Sequence, residues 1–240
     1  MHDAWMPVFQ MYKSKEQPSW EDFRARFGQH FSCKHELRVE SLTGLLLSQV
    51  LRRMRSKSAP GANSWKVDEI KHLPVNMLDR LACMFDLIEE HGSWPQALTK
   101  GLVSLISKGE GSEPSKLRPI GLMSCVYRLW AAARVRDVMS WQEHWIDNSM
   151  HGFRRGHGAE DVWWTQALAI EDALLQGTCL FGLSLDYGKC FDRVPIHIVL
   201  QLAQEYGMSC KIVKPLLLVV CRPHTQVSIW KCIRKRVCVN

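Results

Sequence analysis

The pattern of apolar and polar positions divides the chain into a helical front half, a short extended pair, and a second helical stretch that holds one more candidate strand. Residues 1–36 form a lead-in with little period, apart from a short helix near Trp20–Phe27. Over Leu37–Arg55, Leu42, Leu45, Leu46, Val50 and Met54 recur at helical spacing. Ser58-Ala59-Pro60-Gly61-Ala62 is a turn signal. Two helices follow, Trp65–His72 and Val75–His91. The second carries Leu78, Leu81, Ala82, Phe85 and Ile88 on one face and meets Gly92 as its stop.

Trp94-Pro95 breaks the helical pattern. Leu102–Lys108 reads as a strand, Gly109–Lys116 as an exposed turn, and Leu117-Arg118-Pro119-Ile120-Gly121 as the start of a return strand. The result is a hairpin with a cation on each arm, Lys108 and Arg118. Ser124 suits the N-cap of a helix through Trp141, with Val126, Leu129, Trp130, Ala133 and Val138 inward. His151–Gly158 is a loop rich in glycine and arginine, Ala159–Leu175 a helix, and Gly177 its stop. Cys179–Leu185 is almost wholly uncharged and suits a buried strand that ends at Asp186. Val194–Tyr206 and Ser209–Val220 read as helices, and the tail from Cys221 to Asn240 is basic and aperiodic.

Composition narrows the class. The 240 residues allow one large domain or two small ones, and 46% hydrophobic content supplies a core. The formal net charge of +7 suits a polyanionic partner. The basic run Arg52, Arg53, Arg55 and Lys57 fits two roles, charge complement to a helix C-terminus or contact with nucleic-acid phosphates. The N-terminus lacks the form of a signal peptide. The apolar stretches around Leu42–Leu51 and Ile212–Cys221 are too short or interrupted to span a bilayer. A soluble intracellular protein is expected, nuclear or cytoplasmic. The 9 cysteines are scattered, without zinc-ribbon or redox spacing, and are expected to be reduced.

Candidate chemistry centres on Asp186-Tyr187-Gly188-Lys189-Cys190-Phe191-Asp192-Arg193-Val194. A carboxylate fixed at a strand end is what magnesium needs, because that ion takes few protein oxygens and completes its shell with water and phosphate. Phe191 sets a ring near that position, and Asp192 suits the N-cap of the next helix.

This string resembles the first catalytic motif of reverse transcriptases in the form carried by non-LTR retrotransposons, with Cys190 where that family usually has alanine. Leu105-Ile106-Ser107-Lys108 and Leu117-Arg118-Pro119-Ile120-Gly121-Leu122 resemble the family's fingers motifs. The resemblance implies that Lys108 and Arg118 grip the incoming triphosphate, which the bare hairpin would otherwise present as a solvated pair. His151-Gly152-Phe153-Arg154-Arg155-Gly156-His157-Gly158 resembles the Gly-Phe-Arg loop, implying template contact through Gly152, Arg154 and Arg155. By the same resemblance Phe191 lies under the sugar and excludes a 2′-hydroxyl, although core packing is its alternative. Tyr187 would offer its main-chain carbonyl to the ion. The Ala-Pro-Gly element matches in part, and Tyr127-Arg128-Leu129-Trp130 fits as scaffold, with Arg128 open between packing and contact.

The resemblance runs from Leu37 to Val220. The family's Ala-Asp-Asp hairpin is absent, as is the Gly-rich, Gln-containing motif before it. No aspartate follows Asp192, and Glu205 is the only acidic residue beyond it.

The implied fold is α+β: helix-rich fingers with a β-hairpin plus the start of an antiparallel polymerase palm, truncated. Its regions are the lead-in 1–36, a fingers-like region 37–177, the first palm strand and following helices 178–220, and a divergent tail 221–240. The implied function is a fragment of an RNA-directed DNA polymerase, magnesium-dependent in the family and inactive as this chain alone. An RNA template, a DNA primer and deoxynucleoside triphosphates are its expected partners. The alternative is a non-catalytic nucleic-acid-binding remnant.

Overall fold

The computed structural model describes residues 18–31, 35–107, 117–188 and 190–220. Helix α1, Trp20–Phe27, opens where the Ser19 hydroxyl accepts from the Asp22 amide at 3.0 Å. Residues 35–43 then run without regular structure. The Leu37 amide donates to the Gly207 carbonyl at 2.8 Å, and Leu37 packs with Trp141 and Ile212. Helix α2 therefore starts at Gly44, not at Leu37, and ends at Arg53. Thr43 sets that start, its hydroxyl accepting from the Leu46 amide at 3.2 Å. Gly207, at φ 98, lies so close to the His35 carbonyl that a Cβ would collide with it.

Helix α3 spans Val67–Lys71 and α4 spans Val75–His91, closed by Gly92 in the left-handed conformation at φ 71. A single turn, α5, covers Gln96–Thr99. Strands β1, Leu102–Ser107, and β2, Leu117–Leu122, pair antiparallel, with Leu105 opposite Pro119 and Ile106 opposite Arg118. Helix α6, Cys125–Gln142, is capped by Ser124.

Together α2, α4 and α6 enclose the core. Leu47, Val50, Leu51, Ile70, Leu78, Phe85, Leu129 and Trp130 are buried in it. Phe85, Trp94 and Trp130 meet edge to face, with Phe85–Trp94 centroids 6.3 Å apart and Trp94–Trp130 centroids 5.3 Å apart.

One charged group crosses this core. Arg134 donates through Nε and Nη2 to the two oxygens of Glu89, each at 2.6 Å, while Trp130 Nε1 donates to Glu89 at 2.8 Å. Burial works against the charge on Arg134, but the Glu89 and Asp137 carboxylates outweigh it and hold the guanidinium above its ordinary value. The periodicity marks neither residue, because both stand on faces counted by their apolar neighbours.

Helix α7, Ala159–Gln176, follows the glycine/arginine loop and ends at Gly177. It has no buried residue; Trp163, Trp164, Leu168, Leu174 and Leu175 are exposed. The expected buried strand over Cys179–Leu185 does not form. Residues 178–187 have no regular structure, and Phe181 is 91% exposed. A strand needs neighbours for its amides and carbonyls, and no described strand lies beside this one.

Helices α8 (Cys190–Arg193), α9 (Ile196–Glu205) and α10 (Cys210–Val220) complete the described chain. Asp192 lies inside α8, and Pro195 occupies the N-cap of α9, so Asp192 does not open that helix as expected. Among the described residues no helix is long and apolar enough to cross a membrane.

Candidate nucleotide and nucleic-acid interface

The hairpin gives Arg118 its direction. Residues directly opposite on an antiparallel pair share a face. Leu105 and Leu117 are buried on one face, while Ile106, Arg118 and Ile120 are exposed on the other. Arg118 has no ion-pair partner among the described residues, so its guanidinium is offered outward. Lys108 lies outside the described residues.

The Ala-Pro-Gly element is pinned to the start of α6. A Cβ on Gly61 would stand 2.6 Å from the Ser124 amide nitrogen and 2.7 Å from the Met123 carbonyl. Arg128 donates to the Ala59 carbonyl at 2.8 Å, Asn63 donates to the Ser124 hydroxyl at 3.0 Å, and the Cys125 thiol donates to the Trp65 carbonyl at 2.9 Å. Arg128 thus holds the turn against α6. This attachment ties the chain just after β2 to the core.

In the loop between α6 and α7 the two neighbouring arginines divide. Arg154 donates to both oxygens of Glu143, by Nη2 at 2.7 Å, and by Nη1 to the carbonyls of Met150 at 2.9 Å and Asp147 at 3.3 Å. Its side chain is 6% exposed. Hydrogen bonds from Arg154 pull the Glu143 carboxyl below its usual range, and those from Ser149 do the same for Asp147. Arg154 therefore shapes the loop and is already fully engaged. Arg155 and Gly152 are exposed.

Phe153, held at φ 60, projects from the tip of this loop and meets Phe191 edge to face, with centroids 6.2 Å apart and planes at 85°. The Gly-Phe-Arg loop is thereby set against the segment that carries Asp186, Tyr187 and Phe191. All three are exposed. Phe191 is accordingly not a core residue.

The metal site expected at Asp186 is incomplete among the described residues. Among the described residues Asp186 belongs to no group of three or more potential ligands. Glu205, the only carboxylate after Asp192, lies 3.4 Å from Arg24 of α1 in an ion pair. The cluster that does converge among the described residues is His151, His157 and Asp161. In the sequence the glycines and arginines of this stretch dominate the pattern and hide the cluster. The two histidines and the aspartate on the first turn of α7 are the signal that could have found it.

The family model of the reverse transcriptase (RNA-dependent DNA polymerase) matches residues 106–236, more than half of the chain. The chain belongs to the reverse transcriptase family. The match begins on β1 and covers Arg118, the Gly-Phe-Arg loop and Asp186. It continues to residue 236, past Val220, where the resemblance read from the sequence ends.

Two Drosophila melanogaster proteins are similar to this reverse transcriptase chain. The one named "Probable RNA-directed DNA polymerase from transposon BS" is 26% identical over 66% of the chain and 17% of its own length. The one named "Probable RNA-directed DNA polymerase from transposon X-element" is 29% identical over 65% of the chain and 18% of its own length. The chain thus spans less than a fifth of the relatives it matches. The helix-rich architecture with a two-stranded antiparallel sheet agrees with the expected α+β class.

Proposed function

We propose that this chain is the nucleotide- and template-binding front of an RNA-directed DNA polymerase of retrotransposon type, and that alone it binds nucleic acid without extending a primer. The Phe153–Phe191 contact carries the reading, because it brings the loop that resembles the family's template loop against the ring that would lie under the sugar. Arg118 would take the triphosphate of a deoxynucleotide as a planar, bidentate donor, with Lys108 beside it. Arg155 and the backbone around Gly152 would take template phosphates, and Phe191 would exclude a 2′-hydroxyl.

Polymerisation needs more than one carboxylate to hold its metal ions. Magnesium at Asp186 and the Tyr187 carbonyl would require acidic partners that the described residues do not supply, so no catalytic step is assigned to this chain. Primer extension with the 240-residue chain, an annealed RNA template and DNA primer, and magnesium tests this directly. No extended product is expected, while the same complex shifts in a binding assay. Extension that Asp186→Asn abolishes would overturn it.

A second reading, a binding module that has no polymerase role, is favoured by one observation. Arg52, Arg53, Arg55 and Lys57 are all exposed. Lys71, not one of these, caps the end of α2 by donating to the Met54 carbonyl at 2.8 Å. Nucleic-acid affinity that survives Arg118→Ala and Arg155→Ala but falls on removal of these four charges would support it.

A further inference from the structure

We propose that His151, His157 and Asp161 form a binding site for one transition-metal ion of the zinc class, with water completing a four-coordinate shell. Ligand atoms of the three residues lie within 4.8 Å of one another. The Nδ1 atoms of His151 and His157 are 3.2 Å apart. Two imidazole nitrogens at about 2.0–2.1 Å from a tetrahedral ion stand roughly 3.3 Å from each other, so the rings already hold the spacing of a shared metal.

The chain builds this spacing locally. Positive φ angles at Phe153 and Gly156, 60° and 80°, fold the loop back so that residue 151 meets residue 157. Asp161 is anchored by one oxygen, Oδ2, which accepts from the Gly158 amide at 2.7 Å. Its other oxygen is left for a metal, and the anchored one supplies the outer support that orients a ligating carboxylate. The N-terminal end of α7 opposes a cation, and Glu160 and Asp161 in the first turn offset it.

Donor chemistry selects the ion. Two imidazoles and one carboxylate suit zinc and its first-row neighbours, whereas magnesium takes oxygen ligands. The site is therefore distinct from any metal position at Asp186. A bound ion would staple the Gly-Phe-Arg loop to the first turn of α7 and would steady Phe153 and Arg155. Metal binding at this site does not depend on polymerase activity.

The test is a titration of the 240-residue chain with Co²⁺ as the spectroscopic probe, followed by displacement with Zn²⁺. One equivalent should bind with the weak visible absorption of nitrogen and oxygen ligation, without thiolate charge-transfer absorption. His151→Gln and His157→Gln should each lower affinity at least about tenfold with unchanged far-UV circular dichroism. Asp161→Asn keeps an oxygen for the Gly158 amide and should lower it as well, which decides the matter if a histidine variant fails to fold. Equal affinity in the variants, or binding only with thiolate absorption, would overturn the proposal and assign the metal to the cysteines.

Discussion

Phe153 and Phe191 meet edge to face at a centroid distance of 6.2 Å although each ring is largely exposed. Phe153 stands in the loop before α7 and Phe191 on α8, so the contact links the loop to the Asp186 segment. If both rings serve one primer–template surface, their effects on binding are coupled. A double-mutant cycle with Phe153→Ala and Phe191→Ala should show a coupling of about 0.5–1.5 kcal/mol in affinity for an RNA–DNA primer–template. Additive losses would separate the two rings.

Arg118 faces outward from β2 with Ile106 and Ile120. Arg118→Ala should therefore leave the stability of the chain within about 0.5 kcal/mol. The same change should weaken deoxynucleoside triphosphate binding, and Arg118→Lys should restore it only in part, because an ammonium cannot reproduce the planar fork. Equilibrium dialysis with a labelled triphosphate measures both.

Glu89 and Arg134 join α4 to α6 through two short hydrogen bonds in the core. Glu89→Ala leaves a buried guanidinium with Asp137 as its remaining carboxylate and should cost about 3–5 kcal/mol in urea unfolding. Glu89→Gln keeps one acceptor and should cost less.

Arg154 and Arg155 are neighbours with opposite surroundings. Limited trypsin digestion should cut after Arg155 and spare the bond after Arg154. Glu143→Ala removes the bidentate acceptor and should expose Arg154 to cleavage. The Glu143 carboxyl titrates below its ordinary range in the folded chain. Its contribution is thus complete above the ordinary carboxylate pKa and is lost as pH falls through the lowered value. Carboxyl NMR shifts of Glu143 across the acid range check that sign.

Gly61 lies against the backbone of Met123 and Ser124, while a Cβ on Gly121 would meet nothing within 4 Å. Gly61→Ala should destabilise the chain by about 1–3 kcal/mol in thermal melting, and Gly121→Ala should be near neutral.

Much of this arrangement could be read from residue order. Val75–His91 and the cap at Ser124 follow from apolar spacing, a left-handed stop and a hydroxyl, which are local signals. The start of α2 at Gly44 was not legible, because Leu37 takes its place through Gly207, far along the chain. Cys179–Leu185 has strand composition but lacks a described partner strand, and composition cannot supply one. Arg118 and Phe191 stand out only by their flanking words, and the structure leaves both exposed. The engagement of Arg154 by Glu143 and the convergence of His151 with His157 depend on how one loop folds back, which spacing alone does not show.

The proposed function requires an electrostatic surface for template and primer. Affinity for an RNA–DNA primer–template, measured by fluorescence anisotropy across a series of salt concentrations, tests it most directly. Log affinity should fall linearly with log salt, with a slope that Arg155→Ala makes shallower by about one. Binding that is absent at low salt, or affinity that barely changes across the series, would contradict it.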